Sequence, residues 1–238
     1  MKSKMPPKFR HELKFLISDQ EKKLIENRLA LFMERDAHVK DGCYTIRSLY
    51  FDDMWQNAYE DKLAGIESRK KYRIRIYNNS DKVIRLERKR KEGQYIQKTS
   101  VSLTKEDAKC LIAGDFSFLA KRDEELCQDF YRECVINRMY PAVVVDYERI
   151  PFVYPYGNVR ITFDMRVRAG LFHNDLFDAV LPMAEVMEPG KIIMEVKYTE
   201  YLPEMIRDVL PVADSAYTAY SKYTMCLDRK KELSGVKE

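Results

Sequence analysis

No stretch of this sequence approaches the roughly 20 consecutive apolar residues that cross a bilayer as a helix. The amino terminus, Met1-Lys-Ser-Lys-Met-Pro-Pro-Lys, has no apolar core of a secretory leader. Metal-finger spacing is missing too, since the five cysteines, at 43, 110, 127, 134 and 226, form no CxxC pair. An odd number of thiols without a framework reads as reduced cysteine in a cytosolic protein. The three histidines, His11, His38 and His173, are scattered and make neither a zinc site nor a catalytic triad. No repeat, low-complexity tract or Gly/Ser linker divides the 238 residues. The expectation is one domain over 1–238, with 228–238 as a frayed tail. Together these absences point to a cytoplasmic protein with no membrane-spanning segment of its own, and they leave a membrane partner open.

What the chain does have is charge. Asp, Glu, Lys and Arg make up 34% of it, yet 42 basic residues against 38 acidic ones leave a net charge of only +4. A general nucleic-acid binder carries a stronger basic excess. Here the basic charge is arranged locally, most clearly between Arg69 and Lys91.

Side chains alternate between the two faces of a strand. In Tyr72–Tyr77 and the residues before it, Arg69, Lys71, Arg73 and Arg75 share one face, and Tyr72, Ile74 and Ile76 the other. Arg85, Glu87 and Lys89 likewise fall opposite Ile84 and Leu86. The turn between them is Asn78-Asn79-Ser80-Asp81. Other segments repeat the pattern. Phe9, His11, Leu13, Phe15 and Ile17 oppose Arg10, Glu12 and Lys14, while Glu195 and Lys197 oppose Met194 and Val196. The run 158–168 sets Arg160, Thr162, Asp164 and Arg166 against Val159, Ile161 and Phe163. Strands are also predicted at 44–51, 95–103 and 141–150. Ser18-Asp19-Gln20-Glu21 has the form of a capping box and opens a helix expected to run to about Arg35. Short helices follow Trp55, Thr104 and Pro203, a longer one is read from Asp123 to Asn137, and the last is predicted from Ser215 to about Leu227. Asp52-Asp53 reads as a turn or helix cap in preference to a metal site.

A sheet of this many strands tends to curl or close. With apolar faces outward under helices, the charged faces line a lumen, and such a lining demands paired partners, water or a charged ligand. Its bases (Lys14, Arg73, Arg75, Lys89, Arg149, Arg160) and fewer acids (Glu12, Glu87, Glu195) suit polyphosphate oxygens together with a divalent cation.

Several segments carry a resemblance in one order along the chain. Arg10-His11-Glu12-Leu13-Lys14-Phe15 is followed by Arg47-Ser48-Leu49-Tyr50-Phe51-Asp52, Tyr59-x-x-Lys62-Leu63-x-Gly65 and Arg69-x-Lys71-Tyr72-Arg73-Ile74-Arg75. Leu86-Glu87-Arg88-Lys89, Glu195-Val196-Lys197-Tyr198 and Tyr220-Ser221-Lys222-Tyr223 complete the set. The combination resembles the VTC (vacuolar transporter chaperone) polyphosphate polymerase domain, within the triphosphate tunnel metalloenzymes.

The resemblance implies an α+β fold: a closed antiparallel β-barrel of about eight strands, forming a charged tunnel covered by amphipathic helices. It implies transfer of the ATP γ-phosphate to a growing inorganic polyphosphate chain, with Mn²⁺ or Mg²⁺. Lys14, Arg73, Arg75 and Lys222 would be catalytic; Lys89, Lys98, Arg149, Arg160, Lys197 and Ser221 would grip phosphates. Glu195, and more weakly Glu12 and Glu87, would hold the metal. Arg10 stands where more distant tunnel triphosphatases and cyclases open Glu-x-Glu-x-Lys, which favours the VTC branch. Nothing in the sequence corresponds to the inositol-polyphosphate-sensing domain or membrane helices of the eukaryotic complexes, so regulation of that kind is not implied. The alternatives are a tripolyphosphatase or nucleoside triphosphatase in the same tunnel, and a non-catalytic polyphosphate-binding module.

Overall fold

The computed structural model describes residues 10–36, 39, 42–93, 95–211 and 220–235. Its first turn of helix is set by the predicted capping box. Ser18 Oγ accepts from the Glu21 amide at 3.2 Å, and the Glu21 carboxylate accepts from the Ser18 amide at 2.7 Å. Strand β1 (His11–Ser18) ends there and helix α1 (Asp19–Leu29) begins. The helix stops at Leu29, short of the expected Arg35. Glu34–Arg35 instead form a short strand, β2, paired with Val153 and Phe152, and the Arg35 guanidinium stacks 4.7 Å over the Phe152 ring. Tertiary pairing outweighs helical spacing here.

Next come β3 (Tyr44–Asp52), α2 (Asn57–Leu63), β4 (Arg69–Tyr77), β5 (Ser80–Glu92), β6 (Tyr95–Ser102), α3 (Lys105–Ile112) and α4 (Glu125–Ile136). Asn78 and Asn79 both have φ of 51°, which makes the β4–β5 connection the two-residue primed turn that asparagine favours. Asp52 and Asp53 act as the turn residues predicted. Asp52 accepts from the Ala58 and Tyr59 amides, and Asp53 from those of Trp55 and Asn57, fixing the start of α2. Strand β7 (Tyr140–Tyr154) runs through Pro151, past the expected strand end at 150. Partner β3 reaches only to Arg149, so the missing proline N–H costs no ladder bond on that side. Strands β8 (Val159–Gly170), β9 (Met183–Glu185) and β10 (Lys191–Tyr198) precede the short α5 (Glu204–Arg207) and the final α6 (Lys222–Ser234).

All strand pairs are antiparallel, in the order β1-β10-β8-β7-β3-β4-β5-β6. The fold is therefore an eight-stranded half-barrel with helices, α+β as expected but open where closure was expected. Among the described residues the seam between its end strands shows one isolated bridge, Arg10 just before β1 to Ile96 of β6, and side chains also span it, with Lys89 of β5 reaching Glu12 of β1 at 2.8 Å.

The convex face is apolar. Tyr72, Ile74, Ile76, Ile84 and Leu86 pack with Leu111, Leu126 and Phe130 of α3 and α4; Phe15, Ile17, Phe163 and Met194 pack with Ile25 and Leu29 of α1 and Ile206 of α5. Each such side chain contributes about 1.5–3 kcal/mol by leaving water. One helix departs from the expected covering role. Helix α6 lies on the concave face, where Tyr223, Cys226 and Leu227 pack on the inward residues Ile46, Val143, Val145 and Ile193 and fill one end. It extends to Ser234, so most of the expected frayed tail is helical, and it begins at Lys222 with Ser221 as its cap. The predicted start at Ser215 and the residue Phe9 lie outside the described residues. No helix among the described residues is long and apolar enough to cross a membrane.

Candidate active site

Above the α6 plug the concave face opens into a cavity of about 370 Å³. Eleven cations line it (Lys14, Lys62, Arg69, Lys71, Arg73, Arg75, Lys89, Lys91, Arg149, Lys197, Lys222) against two carboxylates, Glu12 and Glu195. Tyr50, Tyr147, Tyr220, Tyr223 and Ser221 supply the neutral polar wall. Burying this much like charge is unfavourable without counter-charge, so the surplus describes a site built for an anion of high charge.

Strand register sets up the interior. Antiparallel pairing places Lys14 opposite Glu195, Glu12 opposite Lys197, Arg73 opposite Glu87 and Arg149 opposite Asp164. Opposite charges facing each other across strands are mutually stabilising. Arg149 grips Asp164 with both branches, at 2.6 and 2.7 Å, and Lys222 reaches the same carboxylate at 2.6 Å. Glu195 accepts from Lys197 at 2.6 Å and Lys222 at 2.9 Å, with Lys14 at 3.5 Å and Arg149 at 3.6 Å. Burial raises the pKa of the Glu195 carboxyl, but Lys197, Lys222, Lys14 and Arg149 outweigh it and hold it well below the usual range. Glu12 shows the same balance, with Lys89 as its main partner.

Arg73 is held from two sides: its Nε donates to Glu87 at 2.8 Å and its Nη1 to the Tyr50 hydroxyl at 2.6 Å. Arg75 donates to Ser48 Oγ at 3.3 Å and to the Tyr147 hydroxyl at 3.2 Å. Such support fixes guanidiniums in a forked geometry suited to phosphate oxygens. Ser221 and Lys222 arrive on the N-terminus of α6, where Ser221 Oγ accepts from the Thr224 amide at 3.4 Å. The helix end adds partial positive charge of its own.

Ten of the predicted residues thus meet in one cavity: Glu12, Lys14, Arg73, Arg75, Lys89, Arg149, Glu195, Lys197, Ser221 and Lys222. Three do not line it. Glu87 sits behind Arg73, Arg75 and Lys98 as their shared counter-ion, which makes it a positioning group where a metal or water ligand was expected. Lys98, on edge strand β6, turns to that carboxylate. Arg160 turns toward Asp36 at 2.9 Å and the Tyr44 hydroxyl at 3.1 Å. Sequence reasoning passed over Asp164, Tyr50, Tyr147, Lys62, Arg69, Lys71, Lys91, Tyr220 and Tyr223 as site residues. Strand parity could have recruited Asp164 and Lys71, because each shares a face with predicted residues.

Among the described residues no three carboxylate, histidine or cysteine side chains gather into a cage. Glu12 and Glu195 come closest, and the Lys14 ammonium already bridges them, at 3.3 and 3.5 Å. These two carboxylates are the residues that would hold a divalent ion arriving on phosphate oxygens, which needs only one or two protein carboxylates.

The half-barrel is shared with solved structures of low sequence identity. A candidate adenylyl cyclase from Hippeastrum, described as having a dominant triphosphatase activity, is similar at 13% identity and a TM-score of 0.56, over 94% of this chain and 96% of that one. A candidate adenylate cyclase from Bacillus halodurans is similar at 14% identity and a TM-score of 0.50, over 82% of this chain and 83% of that one. No curated protein matches the sequence. The family comparison reaches further, because the VTC domain model matches residues 9–229, from before β1 into α6 and across every strand of the cavity. The chain belongs to the VTC domain family.

Proposed function

We propose that the protein is a polyphosphate polymerase that transfers the γ-phosphate of ATP to a growing inorganic polyphosphate chain. The observation that carries this reading is the excess of eleven cations over two carboxylates in one cavity of a VTC-family half-barrel. Phosphoryl transfer asks little covalent work of a protein and is mostly positioning and charge neutralisation. Arg73 and Arg75 hold the transferring phosphoryl group, each fixed by neighbours that are already in place. Lys14 and Lys222 offset charge that develops on its oxygens and on the departing bridge. A terminal oxygen of the acceptor chain forms the new P–O bond as the bond between the γ-phosphorus and the β–γ bridging oxygen breaks, and ADP leaves. Mn²⁺ or Mg²⁺, when bound, would supply further charge neutralisation, and Glu195 and Glu12 would hold it.

The triphosphatase description of the Hippeastrum relative favours one rival, in which water replaces the chain as acceptor. Incubation of the purified protein with ATP and Mn²⁺, followed by product analysis, separates the two. Long-chain polyphosphate with ADP is the expected result. Release of orthophosphate or pyrophosphate alone supports the hydrolase, and tight polyphosphate binding without turnover supports a binding module.

A further inference from the structure

A neutral side chain stands among the cations of the cavity with a donor still in hand. Tyr50 faces inward on β3, directly opposite Arg73 of β4. On its other side it pairs with Val143, and the β3–β7 register then slips before Phe51. Bulges of that kind re-aim side chains and recur beside active sites. The Tyr50 hydroxyl accepts from Arg73 Nη1 at 2.6 Å, and the same guanidinium lies 5.5 Å from the Tyr50 ring centroid. A phenol oxygen that accepts still has its own proton to donate. Among the described residues no group accepts it. Two nearby tyrosines differ, because their protons are used within the protein: Tyr223 donates to Asp52 and Tyr59 to Asp228.

The Tyr50 ring is clamped. Tyr223 of α6 stacks on it, with centroids 5.2 Å apart and planes at 28°. Asp52, which holds the Tyr223 hydroxyl, also accepts from the Ala58 and Tyr59 amides that start α2. The Lys71 ammonium lies 4.7 Å from the Tyr223 ring, and burial, then Lys14, Arg69, Lys62 and Lys89, push that amine down to about 7. Burial raises the pKa of the Tyr50 phenol, but Arg73, Arg75 and Lys222 outweigh it and hold the phenol below its ordinary value. A polarised O–H makes the short, charge-assisted kind of hydrogen bond to an anionic oxygen. It also adds a donor without adding to the eleven positive charges that already line the cavity.

We propose that Tyr50 is a further catalytic residue, whose O–H donates a hydrogen bond to an oxygen of the phosphoryl group that Arg73 holds. Guanidinium and phenol then act on one group from adjacent strands, each keeping the other in place. Tyr223 and Asp52 are positioning residues that hold the ring against Arg73. No proton leaves the phenol and no bond forms to it. Its contribution is that of a donor fixed before the reaction begins, which favours the transition state because nothing has to reorganise. The catalytic role rests on the phosphoryl-transfer reading above; the contact with the ligand rests on the geometry alone.

The test uses the full chain with ATP and Mn²⁺ and reads ADP release, which does not depend on the acceptor. Tyr50→Phe keeps the ring and its stack on Tyr223 and removes only the hydroxyl. It should lower kcat by about 10²-fold, the size of one preorganised donor, with KM for ATP within about threefold. Tyr223→Phe cuts the tie to Asp52 and leaves the stack, so it should lower kcat by a smaller factor of about five. The double variant should be no slower than Tyr50→Phe alone, since Tyr223 acts through that hydroxyl. A second readout needs no turnover. In protein carrying isotope-labelled tyrosine at Cζ, the Tyr50 resonance, assigned by its loss in Tyr50→Phe, should move when a non-hydrolysable ATP analogue saturates the site. Wild-type kcat in Tyr50→Phe, a loss confined to KM, or a Tyr50 resonance that stays put would overturn the assignment. If the resonance moves in a protein that makes no polymer from ATP, the polymerase reading fails and the phenol contact stands.

Discussion

The two faces of strand β4 are neighbours on one backbone and live under opposite rules. Tyr72, Ile74 and Ile76 point outward into a core closed by α3 and α4, where Tyr72 stacks on Phe130 at 4.8 Å. Arg69, Lys71, Arg73 and Arg75 point inward to a cavity lined mostly by charged side chains and tyrosines. The outward face stabilises the fold by leaving water, and the inward face costs stability to hold charge ready for a ligand. The difference teaches that here the convex side specifies the structure and the concave side spends part of that stability on function.

Four substitutions press on this contrast, from the largest expected effect to the smallest. Asp164→Ala strips the shared carboxylate from Arg149 and Lys222, leaving buried cations uncompensated, and should cost about 3–5 kcal/mol in urea unfolding. A loss below about 1 kcal/mol would show that water already supports that pair. On the convex face, Ile74→Ala is expected to cost about 2–5 kcal/mol through the cavity it leaves. Its surviving folded fraction should turn over normally, which activity normalised to folded protein checks. Arg73→Ala should do the reverse and lower ATP-dependent polymer synthesis by about 10²–10³-fold, with its thermal midpoint compared against that of Ile74→Ala.

The smallest effect concerns pH. Lys71 has a folded pKa of about 7, below its ordinary lysine value, so between these two pH values the unfolded state holds more protons. Wild-type stability from this group therefore rises as pH climbs from about 7 toward the unfolded lysine pKa of about 10.4. Lys71→Met should be more stable than wild type at pH 7 and lose that advantage by pH 10, as followed by thermal unfolding across the range. A constant difference would mean that Lys71 titrates normally.

Much of this contrast is legible in the sequence because strand alternation reports faces directly. Ile74 against Arg73 and Arg75, or Phe15 against Lys14, needs only a period of two. Partners across strands need register, which periodicity does not contain. That is why Asp164 was seen on a charged face but not as the mate of Arg149, and why Glu87 was expected at a metal when it lies behind Arg73. The placement of α6 was hidden for another reason: its buried residues, Tyr223, Cys226 and Leu227, would suit a convex face as well as a concave one. Closure failed as an expectation because it depends on register between β1 and β6, and among the described residues one isolated bridge, Arg10 to Ile96, joins that seam.

Helix α6 has a consequence for the order in which the site comes into being. It is tied down by Tyr59 to Asp228, by Tyr223 to Asp52 and by Lys230 to Asn174, and it brings Ser221 and Lys222 to cations of the first strands. Lys14 itself donates to the Tyr220 carbonyl, 206 residues away in the chain. During synthesis the arginines of β4 emerge well before Lys222. Until then Glu195 and Asp164 lack one of their cations, so a nascent chain carries the arginines of β4 without a complete cavity. Assembly of the cavity is thereby tied to docking of α6.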